Sequence, residues 1–179
     1  MHAILTFRFH PQNPLKAVEM ICLNSDNIDR YQMRTGEETM LRIMIKCLGG
    51  FSSSGLVNQL NNEVKEKGME DKVKFIFPQF GQHKLDLSSE AVDIVMLCPH
   101  MAIYAKSLAE ANPDTPFYIM PTRLYGMMQA EELYEDAEDV IKGFKETGMN
   151  PFHFEGEEVA IRVKRAVSHR KFIAENQNG

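Results

Sequence analysis

The chain has no tryptophan, only three cysteines in 179 residues, and no apolar run near the roughly 20 residues that span a bilayer. The missing run speaks against a membrane-spanning helix. Cys22, Cys47 and Cys98 do not fit the even-numbered disulfide framework of a small secreted domain. None of them sits in a Cys-x-x-Cys motif or a Cys/His pair with metal-ligand spacing, so no metal site is expected. Each is then either a small core hydrophobe or a reactive thiol. A basic surplus is also lacking: the formal net charge of -5 argues against a general nucleic-acid binder. Met1 to His10 is partly apolar, but Arg8, His10 and Pro11 interrupt it too early for a signal peptide. A cytoplasmic protein is expected.

What remains is an ordinary globular composition, 44% hydrophobic and 25% charged, in a chain long enough to bury one proper core. Three segments are expected: an N-terminal extension over 1–38, a regular domain over 39–148 and a C-terminal extension over 149–179. Turn clusters at His10-Pro11-Gln12-Asn13-Pro14 and Asn24-Ser25-Asp26-Asn27 bracket Leu15 to Leu23, which reads as either a short helix or a short strand. Met33 and Met40 are candidate internal starts just ahead of the regular pattern.

From Met40 onward strands alternate with helices. Leu41 to Lys46 is an apolar-rich strand with imperfect alternation, as when both faces are covered. Leu56, Val57, Leu60 and Val64 recur at helical spacing, and Gly68 closes that helix. Val73 to Phe77 is a second strand, ended by Pro78. Gly81 to Ser89 is a polar connection, with at most a helical turn near Leu85. Val92 to Cys98 is the strongest strand, stopped by Pro99. A helix from about His100 to Ala111 presents Met101, Tyr104, Ala105 and Leu108 inward, and Asn112-Pro113-Asp114-Thr115-Pro116 ends it. Phe117 to Met120 is a fourth strand. A helix from about Ala130 to Glu146 carries the core stripe Leu133, Ala137, Val140, Ile141 and Phe144. This order predicts an α/β fold, a parallel sheet covered on both faces through right-handed crossovers. After Pro151, basic residues from Arg162 to Lys171 interleave with valines. They read as the solvated face of an end segment, or as a contact for a membrane surface or an acidic partner.

Cys47-Leu48-Gly49-Gly50-Phe51-Ser52-Ser53-Ser54 joins the first strand to the first helix. In an open α/β sheet, ligands bind beyond the carboxyl ends of the strands. Glycines there let successive N–H groups turn into one concavity. The helix N-terminus adds partial positive charge, which suits an anion and favours a cysteine thiolate. The serine hydroxyls add donors for a phosphoryl group, and one of them is a candidate helix cap. The loop therefore suits a cysteinyl phosphate, with Cys47 as nucleophile. A Gly/Ser turn beside a buried cysteine is the plain structural reading. The cysteine-phosphatase loop, C-x5-R, needs an arginine where this chain has Ser53, and no arginine follows until Arg123.

The stretch from Met40 to Gly148 resembles the IIB component of the lactose/cellobiose-type bacterial phosphotransferase system. That family carries Cys-x-x-Gly-x-Ser-Thr-Ser after its first strand, matching Cys47 to Ser54. Val92-Asp93-Ile94-Val95-Met96-Leu97-Cys98-Pro99-His100 matches its Asp-Val-Val-Leu-Leu-Gly-Pro-Gln segment, and Tyr125-Gly126 matches a Tyr-Gly pair. The resemblance implies an open four-stranded parallel sheet of order 2-1-3-4 in a three-layer sandwich. It implies that Cys47 takes a phosphoryl group from the phosphohistidine of a IIA partner. The group then passes to a sugar held in the IIC permease, which the protein would meet at the membrane periphery. Leu48, Gly49, Gly50, Phe51, Ser52, Ser53 and Ser54 would bind the phosphoryl group through backbone N–H groups and serine hydroxyls. No metal or organic cofactor is implied.

Four departures stand out: Ser53 for the usual Thr, Gly55 for Leu, Cys98 for Gly and His100 for Gln. His100 and Tyr125 are candidates for the rim of the site, with a helix-capping role open for His100 and packing for Tyr125. Cys98 is either a core residue or a second thiol within disulfide reach of Cys47. An IIB-like regulatory module and a small cysteine phosphatase are the alternative functions.

Overall fold

The computed structural model describes residues 40–48, 51–78, 85, 87 and 91–177, with the backbone alone at 51–53. The N-terminal extension, Cys22, Gly49, Gly50 and most of the polar connection at 81–89 lie outside the described residues. Four strands are present: β1 (Leu41–Lys46), β2 (Val73–Ile76), β3 (Ile94–Leu97) and β4 (Phe117–Ile119). They form one all-parallel sheet in the order β2-β1-β3-β4. Its central strands explain the imperfect alternation. All four residues of β3 are buried, as are Ile43 to Lys46 of β1, because helices cover both faces.

The helices are α1 (Phe51–Glu66), α2 (Ala102–Ala111), α3 (Thr122–Met127), α4 (Ala130–Thr147) and α5 (His169–Gln177). Right-handed crossovers from β1 outward to β2 and from β3 outward to β4 put α1 and α2 on opposite faces. The α1 stripe Val57, Leu60 and Val64 is buried as expected. Asn61 on the same helix seals the outer edge of β2. Its amide donates to the Phe75 carbonyl at 2.9 Å and its oxygen accepts the Phe75 N–H at 3.0 Å. Glu63 of α1 accepts the Ala130 N–H at 3.1 Å, holding the start of α4 against α1. Gly68 and Gly148 follow α1 and α4 with φ of 63° and 69°, the left-handed conformation that lets each helix stop.

Three expectations need correction. The helix expected at His100 begins as a 3-10 turn, Pro99–Met101, because Pro99 holds the first turn before α2 starts. Tyr104 does not face inward: it is 41% exposed, and Ala109 takes the buried place beside Ala105. Met101, Ala105 and Ala109, four residues apart, form the buried stripe, and Tyr104 lies off it.

The basic tail is the largest correction. Phe152 pairs with Tyr118 at the outer edge of β4, and the Phe152 N–H donates to the Phe117 carbonyl at 2.8 Å. Asn150 ties in the same turn by accepting the Phe117 N–H at 2.9 Å. Arg165 is not on a solvated face. Its side chain is 0% exposed, pairs with Asp136 at 2.8 Å and Glu157 at 2.6 Å, and donates to the Tyr118 hydroxyl at 2.5 Å. The Ser168 N–H donates to Glu132 at 2.5 Å, the Ser168 hydroxyl donates to Glu135, and the His169 N–H donates to Asp136 at 2.7 Å. Arg170 and Lys171 complete the seam with Asp139 at 2.8 Å and Glu132 at 2.9 Å. Arg165, Arg170 and Lys171 thus meet acidic side chains of the chain's own helix α4, while Arg162 and Lys164 stay exposed as a solvated face would be.

Candidate functional site

Parallel pairing brings the two motif cysteines together at the carboxyl edge of the sheet. The last β1–β3 register pair is Lys46 with Leu97, and the Cys98 N–H donates to the Lys46 carbonyl at 3.0 Å. One residue further on, Cys47 and Cys98 leave the sheet side by side. Both are buried, at 2% and 0% exposure, and no disulfide joins them.

A short relay ends on Cys47. The Tyr125 hydroxyl donates to the Cys98 sulfur, and the Cys98 thiol donates to Cys47. Burial, reinforced by the charge that Cys47 carries when ionised, pushes the Cys98 thiol up to about 12. Cys98 is therefore a protonated donor at neutral pH, and Cys47 is the acceptor. Burial and the neighbouring Cys98 raise the Tyr125 hydroxyl as well, so it too keeps its proton. Tyr125 reaches this position on α3, which follows β4 directly over the carboxyl edge. Met128 closes α3 in the left-handed conformation, φ 44°, with its side chain held in the core.

His100 lies on the 3-10 turn after β3. It caps no helix. Its Nε2 accepts the Leu48 N–H at 3.3 Å, which requires a neutral ring carrying its proton on Nδ1. The Leu48 side chain itself points outward, 65% exposed.

Helix α1 begins at Phe51, so Ser52, Ser53 and Ser54 lie within its first turn and not at the capping position ahead of it. The first turn of any helix has N–H groups with no acceptor inside the helix, and this end also carries the positive pole of the helix dipole. That pole stands beyond β1 on the same side of the sheet as Cys47. Phe51, Ser52, Ser53 and Ser54, expected in the loop, are instead the first residues of α1, and the Leu48 N–H expected for a phosphoryl group is taken by His100; Gly49 and Gly50 are outside the described residues.

The arrangement combines a nucleophilic side chain, a thiol donor, a phenol donor and a helix N-terminus. It can stabilise negative charge on or near the Cys47 sulfur. Cys47 is only 2% exposed, so its sulfur is covered in this structure. The donor role of Tyr125 was not readable from sequence. Its only signal was position, since Cys98 and Tyr125 both follow strands at the edge where sites form. Among the described residues, no group of three or more His, Cys, Asp or Glu side chains is placed to hold a metal ion, and no helix is long and apolar enough to cross a membrane.

No protein-family model matches the chain, and no curated protein matches it in sequence.

Proposed function

We propose that the protein is a phosphoryl carrier of the IIB type, with Cys47 as the residue that is transiently phosphorylated. The observation that carries this reading is the location of Cys47. It directly follows β1 of a 2-1-3-4 parallel sheet, ahead of the helix start at Phe51, where an anion is favoured. The motif resemblance from Cys47 to Ser54 supplies the chemistry. In the first step, the Cys47 thiolate attacks phosphorus on a partner's phosphohistidine. The S–P bond forms, the N–P bond breaks and the imidazole leaves. In the second, a sugar hydroxyl held by a IIC permease attacks the same phosphorus, and the Cys47 thiolate leaves.

Amides of the loop and first helical turn balance the phosphoryl charge in both steps. Cys98, protonated and donating to Cys47, favours the thiolate both as attacking and as leaving group. The absence of an arginine clamp at Ser53 suits transfer to a second acceptor better than hydrolysis by a phosphatase. In this reading the protein works in the cytoplasm and meets its permease at the membrane periphery.

The test is phosphorylation with labelled phosphoenolpyruvate, the general phosphotransferase proteins and a IIA partner. Label is expected on Cys47, labile to thiol chemistry, and passing to a sugar when a cognate IIC is added. A Cys47→Ser variant that still takes up acid-stable label overturns the assignment. Label that never reaches any sugar favours a regulatory module in place of a transport subunit.

A further inference from the structure

We propose that Cys47 and Cys98 form a reversible intramolecular dithiol, oxidised by peroxide to a disulfide that removes Cys47 from use as a nucleophile. The geometry is set by the sheet, not by a flexible loop. Residues paired in register on parallel strands project to the same side, and neighbouring strands run about 4.8 Å apart. Disulfides need Cα atoms about 4.4–6.8 Å apart, and one position beyond the Lys46–Leu97 pair the ordinary strand spacing falls within that range. The Cys98 N–H bond to the Lys46 carbonyl, 3.0 Å, holds the two strand ends together at the point where both cysteines follow. The Cys98 and Cys47 side chains are also within hydrogen-bonding reach of each other.

The two thiols have different roles. Cys47 adjoins the exposed Leu48 and the helix start, so it meets the oxidant first. Its thiolate attacks one oxygen of hydrogen peroxide, the O–O bond breaks, and hydroxide leaves to give the sulfenic acid. The Cys98 sulfur then attacks the Cys47 sulfur. The S–S bond forms, the S–O bond breaks, and the departing hydroxide takes the Cys98 proton as water. Overall, two thiols and one peroxide give one disulfide and two waters. Oxidation of Cys47 also removes the negative charge that opposed ionisation of Cys98, so the first step prepares the second. Tyr125 is hydrogen-bonded to Cys98 as well.

The disulfide is independent of the phosphoryl reading. Only its consequence, that oxidation would block phosphoryl acceptance, rests on that reading. The experiment uses the full chain with Cys22→Ser, so that the remaining cysteine cannot substitute as partner. The folded protein is treated with hydrogen peroxide, the peroxide is removed, and the chain is then unfolded in urea with iodoacetamide, digested without reduction and mapped by mass. A cross-linked Cys47–Cys98 peptide is expected, with loss of alkylation at both positions and full recovery after dithiothreitol. In the Cys98→Ser chain, the same treatment should carry Cys47 on to the sulfinic acid. Sulfinic acid at Cys47 with Cys98 still alkylatable in the parent chain, or cross-links between chains only, overturns the proposal. Failure of the phosphorylation assay leaves this map unchanged, so the two readings fail separately.

Discussion

The Leu48 amide donates to Nε2 of His100 across 3.3 Å, tying the residue after Cys47 to the turn that follows the neighbouring strand. The bond fixes the tautomer of His100 and occupies the first amide of the cysteine loop. An acceptor of this kind is worth about 1 kcal/mol, which is roughly fivefold in an opening equilibrium. In a His100→Leu chain, hydrogen exchange at the Leu48 amide should therefore speed up about fivefold. His100→Gln keeps an acceptor oxygen and should stay near the parent rate. Equal exchange in all three chains would show that the bond does not persist in solution.

Gly143 on α4 faces the ring of Phe152, and a Cβ there would lie inside the ring's van der Waals surface. Alanine normally improves a helix interior over glycine by about 0.5–1 kcal/mol, but overpacking costs about 1–3 kcal/mol. Gly143→Ala should therefore destabilise the protein by about 1 kcal/mol in urea unfolding. With the ring removed in Phe152→Ala, the same substitution should become stabilising. A double-mutant cycle measures that change of sign, and additive effects would contradict the packing described.

These two contacts show where sequence reading stops. The strand from Leu41 to Lys46, and the one read over Val92 to Cys98 and found at Ile94 to Leu97, were legible because apolar-rich runs between turn residues have few other uses. Cys47 was legible as a site residue because strand, Gly/Ser loop and helix are consecutive in the chain. The Cys47–Cys98–Tyr125 relay joins three separate crossovers, and only the register of the sheet brings them together. Arg165 failed for a related reason. Alternating basic and valine residues look like a solvated face, while its counter-charge Asp136 lies on a helix whose own pattern looks amphipathic and complete. Long-range charge pairing has no periodicity to detect.

Arg165 has both Asp136 and Glu157 within ion-pair distance while fully buried, which makes its removal costly. Arg165→Met leaves two carboxylates without their cation in the interior, an effect of about 3–5 kcal/mol. Against a total stability of about 5–15 kcal/mol, the variant should unfold at much lower urea. Adding Asp136→Asn to Arg165→Met removes one orphaned charge and should recover part of the loss. If Arg165→Met unfolds like the parent, the tail is not locked to α4 in solution.

His169 stacks on Phe154 at 3.9 Å between ring centres, almost parallel, and burial holds its imidazole below the usual histidine range. Glu157 and Asp139 favour its charged form, while Arg165 opposes it. The unfolded chain takes up a proton here as pH falls through about 6.5, whereas the folded chain resists until lower pH. Stability from this group is therefore lost as pH drops below about 6.5, by at most about 1.4 kcal/mol per pH unit. Asp136 has the opposite sign. Burial raises its carboxyl to about 6, so its contribution is lost as pH rises through that value. His169→Phe keeps the stack and the backbone N–H bond to Asp136 while removing one titrating group. The difference in unfolding free energy between parent and His169→Phe should grow in favour of the variant as pH falls from about 7 to 5, with Asp136 cancelling because both chains contain it. A difference that stays flat over that range would mean that His169 titrates alike in the folded and unfolded chains.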